Sequence, residues 1–178
     1  MAKKVLILSG SPRKGGNSDL LCDEFMRGAL EFGHEVEKIR VQEKKVACCT
    51  DCYACSDTGV CAIEDDMADI MQKMIDCDVM VLASPVYFYS IDAQLKAVID
   101  RSVCRWTEVK DKEMYYIMTA AEEDKEATDT TLACFRGYAD CVEGAVEKGI
   151  IRGTGVYDVG EVKGTAYMQE AYEMGKAV

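Results

Sequence analysis

Histidine is almost missing from this chain: among 178 residues His34 stands alone. It follows Gly33 where the first helical pattern gives way to the second strand, the place of a surface turn residue. A Ser-His-Asp hydrolase is therefore excluded. Long apolar runs are missing as well. The amino-terminal run Val5–Leu8 is four residues long, too short for a signal peptide and far from the roughly 20 residues of a membrane span. The expectation is a soluble, cytoplasmic protein without a membrane partner. Positive charge is scarce: 21 Lys and Arg face 32 Asp and Glu, a net charge of -11. A nucleic-acid partner, which asks for Lys and Arg concentrated on one face, is excluded. No internal repeat or low-complexity segment divides the chain, and its length suits a single domain over residues 1–178.

What is abundant is cysteine. Of ten, five (Cys48, Cys49, Cys52, Cys55 and Cys61) fall in the stretch CCTDCYACSDTGVC at 48–61. In a reducing compartment these are thiols or metal ligands rather than disulfide staples. The other five, Cys22, Cys77, Cys104, Cys134 and Cys141, lie in helical patterns, where a free cysteine acts as a small hydrophobe.

Short β-branched runs alternate with helical periodicity. VLILSG (5–10), EVEKIRV (35–41), VMVLASP (79–85), MYYIMTA (114–120) and IIRGTGVYDV (150–159) read as strands. Between them apolar residues recur at helical spacing: Leu21, Phe25, Ala29, Phe32; Met67, Ile70, Met71, Met74; Ile91, Leu95, Val98, Ile99; and Leu132, Phe135, Ala139, Val142, Val146. A last helix is expected over 166–175. Such alternation implies an α/β fold, a doubly wound parallel sheet of about five strands with helices on both faces. The runs VLIL and VMVL are apolar at successive positions, as strands covered on both faces should be. Ligands bind such sheets beyond the carboxyl ends of the strands, where strand order reverses.

After the first strand comes SGSPRKGGNS, Ser9–Ser18. Its glycines free the backbone to curl its N–H groups around an anion, Asn17 or Ser18 is placed to cap the following helix, and Arg13 offers a guanidinium fork. A Walker loop is excluded because Gly15 is followed by Gly16 instead of lysine, and the dinucleotide fingerprint fails because Ser11 and Pro12 follow Gly10. A phosphatase would need a cysteine nucleophile here, and none is present. What remains is a monophosphate, which suits FMN. After the third strand, SPVYFYSIDAQLKAVIDR places Pro85, Tyr87, Phe88 and Tyr89 where a flat ring tethered at the first loop would lie.

Together these two loops resemble the NAD(P)H-dependent FMN reductase family and its relatives in the flavodoxin-like superfamily. The segment CTDCYACSDTGVCAIEDDM, with the tail GTGVYDVGEVKGTAYMQEAYEMGK, is similar to the iron-sulfur flavoprotein branch. The resemblance implies a flavodoxin-like three-layer sandwich with strand order 2-1-3-4-5. It implies that Ser11, Arg13, Asn17 and Ser18 hold the FMN phosphate with Ser9 nearby, and that Pro85, Val86, Tyr87, Phe88 and Ser90 border the isoalloxazine. The third loop, AEEDKEATD, lacks the glycine pair of related quinone reductases and is assigned no contact. A homodimer or homotetramer is the habit of such chains.

The cysteines run C49-x2-C52-x2-C55-x5-C61. Three thiolates at these separations can wrap a compact cluster, and ferredoxins share the first three spacings, although the last gap is longer here and no proline follows. Zinc and an unmetallated loop also fit, zinc less naturally because it favours two separated C-x2-C knuckles. The resemblance adds a 4Fe-4S cluster on Cys49, Cys52, Cys55 and Cys61, leaving Cys48 spare. In the EDDM that follows, Asp65 or Asp66 is placed to cap the next helix.

The expected activity is a flavoenzyme that takes a hydride from NAD(P)H and passes electrons to a flavin, quinone or other acceptor. The hydride goes straight to the flavin, so no catalytic side chain is assigned. Two rivals are an electron-transfer protein that docks a redox partner through its acidic surface, and a zinc-stabilised binding module.

Overall fold

The computed structural model describes residues 1–178. Five strands, β1 (Lys4–Ser9), β2 (Glu35–Arg40), β3 (Val79–Pro85), β4 (Glu113–Thr119) and β5 (Val146–Gly153), form one parallel sheet in the order β2-β1-β3-β4-β5. Five helices cover it: α1 (Asn17–Glu31), α2 (Met67–Asp76), α3 (Ala93–Arg101), α4 (Asp129–Ala139) and α5 (Tyr167–Lys176). The expected three-layer, flavodoxin-like arrangement is what the chain adopts.

The continuous apolar strands hide a period of two. Val5, Ile7, Val79, Val81, Tyr115 and Ile117 pack toward Leu21 and Phe25 of α1 and Ala171 of α5. Leu6, Leu8, Met80, Leu82, Met114 and Tyr116 face α2, α3 and α4 on the other side. Both faces of these three strands are covered, which is why their middle positions are apolar, while the buried polar residues Ser9, Ser84 and Thr119 stand at their carboxyl ends. On the first face α1 and α5 cross at near contact. A Cβ on Gly28 would lie 2.2 Å from the Tyr172 carbonyl oxygen, and one on Gly175 2.0 Å from that of Phe25. No helix is long and apolar enough to cross a membrane.

Some boundaries differ from expectation. β5 starts at Val146, pairing with Glu113, and ends at Gly153; residues 154–159, expected as strand, form a loop. Gly155, at φ +70°, turns the chain out of the sheet. Helix α4 accordingly stops at Ala139, so Val142 is buried beyond it and Val146 belongs to the strand. Phe32 caps the end of α1 and is exposed rather than buried. Ile91 precedes α3. Cys22 and Cys77 are buried as small hydrophobes, whereas Cys141 is exposed.

Helix α3 begins behind the carboxyl ends of the strands, where Asp92 caps it by accepting from Leu95 N at 2.9 Å. Its nine residues span about 14 Å at 1.5 Å each. Its far end, Arg101, lies under the cysteine segment.

Candidate functional site

Two separate sites follow from this frame. The first is a cleft at the carboxyl end of the sheet. Ser11, Arg13, Asn17 and Ser18 from the first loop meet Pro85, Val86 and Tyr87 from the third strand's loop along its walls. Of the other residues singled out, Ser9, Phe88 and Ser90 stand outside those walls.

The first loop is held from behind by Asp19. Its buried carboxylate accepts from Gly15 N at 3.0 Å, Ser9 Oγ at 3.2 Å and Lys38 Nζ at 3.0 Å, with Arg40 Nε at 3.4 Å. Burial pushes this carboxyl up, but the Gly15 N–H, Lys38 and Arg40 outweigh it and leave it below the usual range. Gly15 can accept the bend because its φ of +69° costs a glycine little. Neither Asn17 nor Ser18 caps α1. The N-cap is Gly16, and no side chain bonds the first N–H groups. The helix thus opens on unpaired donors and positive potential. Beside them the Ser18 hydroxyl is buried without a partner. Together with the Arg13 fork, this is the donor set that a phosphate monoester requires.

Sequence reasoning missed a fourth wall. The loop after β5 folds back over the first loop: Asn17 Nδ2 donates to Asp158 O at 3.0 Å, and Asn17 Oδ1 accepts from Val162 N at 3.2 Å. Arg13 Nη1 donates to Tyr157 O at 3.1 Å, its guanidinium 5.8 Å from the Tyr157 ring centroid. Val156 and Tyr157 therefore line the cleft, as do Thr119 and Ala121 after β4. The rule that all strand carboxyl ends face the ligand points to this loop, but the residues at 154–159 read as strand in the sequence.

The second loop is a tight hairpin. Tyr87 and Ser90 exchange two backbone hydrogen bonds of 3.0 Å each, and Phe88 and Tyr89 between them sit at φ +48° and +61°. Glycine or asparagine normally occupies such positions, so two aromatic residues there carry backbone strain. Phe88 is fully exposed at the tip. Val86 N donates to Thr119 O at 2.8 Å, which joins this loop to the end of β4.

The second site is a cavity of about 410 Å³ lined by Cys49, Cys52, Cys55 and Cys61. A fifth sulfur is present, but it is Cys104 from the turn after α3; Cys48 is exposed and not on the wall. Cys104 packs against the core as expected and also lines this cavity. All ten cysteines are free thiols. Asp51 and Tyr53 take left-handed φ of 53° and 58°, curling the loop around the cavity. The Ala54 N–H and Thr50 hydroxyl hold the Cys52 thiol below its ordinary range. No group of three or more His, Cys, Asp or Glu side chains is drawn into a metal-ligating sphere. Four thiols from one short loop, on a cavity wall shared with a guanidinium, are donor chemistry that suits an iron-sulfur cluster, and also zinc.

Arg101 closes both ends of the cysteine segment. It is buried, with Nη1 donating to Ala47 O and Asp65 Oδ2, both at 2.8 Å. Nη2 donates to Asp65 Oδ1 at 3.0 Å and Ile63 O at 3.3 Å. Asp65 in turn accepts from Ala47 N and Met67 N, the latter at the start of α2, while the N-cap position itself is Asp66. No residue lines both the cleft and the cysteine cavity.

Residues 3–136 match the family model described as NADPH-dependent FMN reductase. The chain is 43% identical over 99 residues to an iron-sulfur flavoprotein of Methanocaldococcus jannaschii, covering 56% of this chain and 51% of that one. It is 42% identical over 100 residues to an iron-sulfur flavoprotein of Methanosarcina thermophila, covering 56% and 52%. The matched region thus spans about half the length of these relatives. Among solved structures, the NAD(P)H:quinone oxidoreductase from Methanothermobacter marburgensis superposes with a TM-score of 0.81 over 99% of this chain and 96% of that one, at 14% identity. That likeness is one of fold.

Proposed function

The chain belongs to the NADPH-dependent FMN reductase family, and on that premise we propose that it is a flavoenzyme that oxidises NAD(P)H and passes the electrons to a small acceptor such as a flavin or quinone. We place FMN in the cleft and a 4Fe-4S cluster on Cys49, Cys52, Cys55 and Cys61. When bound, the flavin supplies a hydride acceptor and the cluster a one-electron centre.

The chain's own residues bind, orient and exclude water. Arg13 offers two N–H groups to the phosphate, Ser11 and Ser18 their hydroxyls, and α1 its open amino end. Asp19 and Ser9 fix the loop that presents them, and Asn17 secures the Tyr157 segment over it. Pro85, Val86 and Tyr87 form the apolar wall against the ring. Ser90 holds the hairpin that carries Phe88 and Tyr89. Phe88 and Tyr89, 101% and 56% exposed, are placed at the contact of a homodimer or homotetramer. Ten free thiols fit the reducing cytoplasm.

One observation carries this reading. Seven of the ten residues assigned to FMN, from loops some seventy positions apart in the chain, line a single cleft, and an unpartnered buried hydroxyl stands among them. Anaerobic purification, an absorption spectrum, flavin and iron quantitation, and NADH and NADPH consumption with flavin and quinone acceptors test it. Stoichiometric FMN and steady turnover are expected. Protein that takes up neither flavin nor iron on reconstitution would sink the proposal. Reduction only by a protein donor would favour an electron carrier that docks through the acidic surface.

A further inference from the structure

The inner wall of the cysteine cavity comes from the end of α3 and the turn beyond it, where Arg101 and Cys104 meet the sulfurs. Arg101 is 1% exposed. A buried guanidinium must find acceptors for its five N–H groups, and its Nη atoms do so on Ala47, Ile63 and Asp65. Its Nε is buried and meets no acceptor. A loop clamp needs only the Nη contacts, so Nε is spare in a residue that lines the cavity.

We propose that Arg101 is a positioning residue for the iron-sulfur cluster: its unpaired N–H serves a ligating sulfur of the cavity it lines, and its fixed positive charge sets the cluster's reduction potential. This rests on the cluster assigned above. Hydrogen bonds to ligating sulfurs and nearby charge are the protein's means of tuning such centres. Reduction adds negative charge to the cluster, so an adjacent cation favours the reduced form. Asp65 offsets that field only in part, because its carboxylate is also spread over the Ala47 and Met67 N–H groups.

The test compares wild type, Arg101→Met and Arg101→Lys, reconstituted anaerobically with iron and sulfide. FMN content checks the fold, because the FMN cleft shares no residue with this cavity. The readout is an EPR-monitored redox titration of the cluster. For Arg101→Met the reduced-to-oxidised ratio at a fixed potential is expected to fall about tenfold, a midpoint more negative by ~59 mV for one electron. Arg101→Lys keeps the charge without the fork and is expected to fall between the two. Iron-loaded Arg101→Met with the wild-type midpoint overturns the proposal and leaves Arg101 a loop clamp. If Arg101→Met holds no iron, Arg101→Lys decides: a shifted midpoint supports the proposal and an unshifted one overturns it. A wild-type chain that takes up no iron would instead remove the cluster itself, a failure distinct from an iron-loaded protein indifferent to Arg101.

Discussion

Asp92 fills the space beside Gly10: a Cβ on Gly10 would lie 2.1 Å from Asp92 Oδ2. The carboxylate has no room to yield, since it is fully buried and held by the Ser84 hydroxyl at 2.6 Å and by Leu95 N at 2.9 Å. The first loop and the start of α3 are therefore packed directly on one another. Gly10→Ala is expected to cost roughly 1–3 kcal/mol of stability through overpacking and to weaken FMN binding, both measurable by denaturant unfolding and flavin titration. A variant as stable as wild type would show that Asp92 moves freely.

The Arg13 fork distinguishes a phosphorylated flavin from an unphosphorylated one. Arg13→Gln removes a charged hydrogen bond of about 1.5–3 kcal/mol and is expected to weaken FMN about ten- to a hundredfold while leaving riboflavin unchanged. Paired titrations with the two flavins measure this, and an equal loss for both would place the phosphate elsewhere.

Asp19 links acidity to the first loop. Its folded carboxyl is held below the usual range, so the unfolded chain takes up the proton more readily. The stability it contributes is complete above the unperturbed value of about 3.9 and is lost as pH falls through its own lower value. Melting temperature measured against pH should fall more steeply in that acid window for wild type than for Asp19→Asn, which starts lower at neutral pH. Parallel curves would contradict the assignment.

The cysteines divide by position. Serine at Cys49, Cys52, Cys55 or Cys61 is expected to abolish stoichiometric iron, whereas Cys48→Ser and Cys104→Ala retain it. Iron and sulfide analysis after anaerobic reconstitution reads the result, and loss of iron in Cys104→Ala would add that sulfur to the ligand set. Chelation of iron from the wild-type protein should leave FMN in place, because the two sites are walled by different residues.

The doubly covered sheet could be read from the chain because Val5–Leu8 and Val79–Leu82 are apolar at every position, as strands covered on both faces require, whereas the strand order came from the resemblance to a family. The first loop was equally legible, since glycines, hydroxyls and an arginine between a strand and a helix state their own chemistry. The contributions of Val156 and Tyr157 were hidden. Their run of β-branched and aromatic residues looks like a strand, and only Gly155 marks the exit from the sheet. Asn17, placed by position to cap the helix and by the resemblance to hold the phosphate, has its amide spent on Asp158 and Val162, 141 and 145 residues away in sequence. The arrival of Cys104 beside Cys55 and Cys61 is likewise a tertiary event. Local pattern reports a residue's own backbone, and long-range contacts of this kind leave no local trace.

Helix α3 gives the molecule a ruler. One end is wedged against Gly10 by Asp92, and the other carries Arg101 beneath the cysteine segment. The interval between the two sites is therefore written in the length of a rigid rod, not in the residues that connect β2 to α2. Outside its four cavity-lining cysteines, that connection can vary in length or sequence between its anchors at Ala47 and Asp65 while α3 keeps the interval. A single residue inserted into α3 would alter it, turning Arg101 about 100° away from its partners.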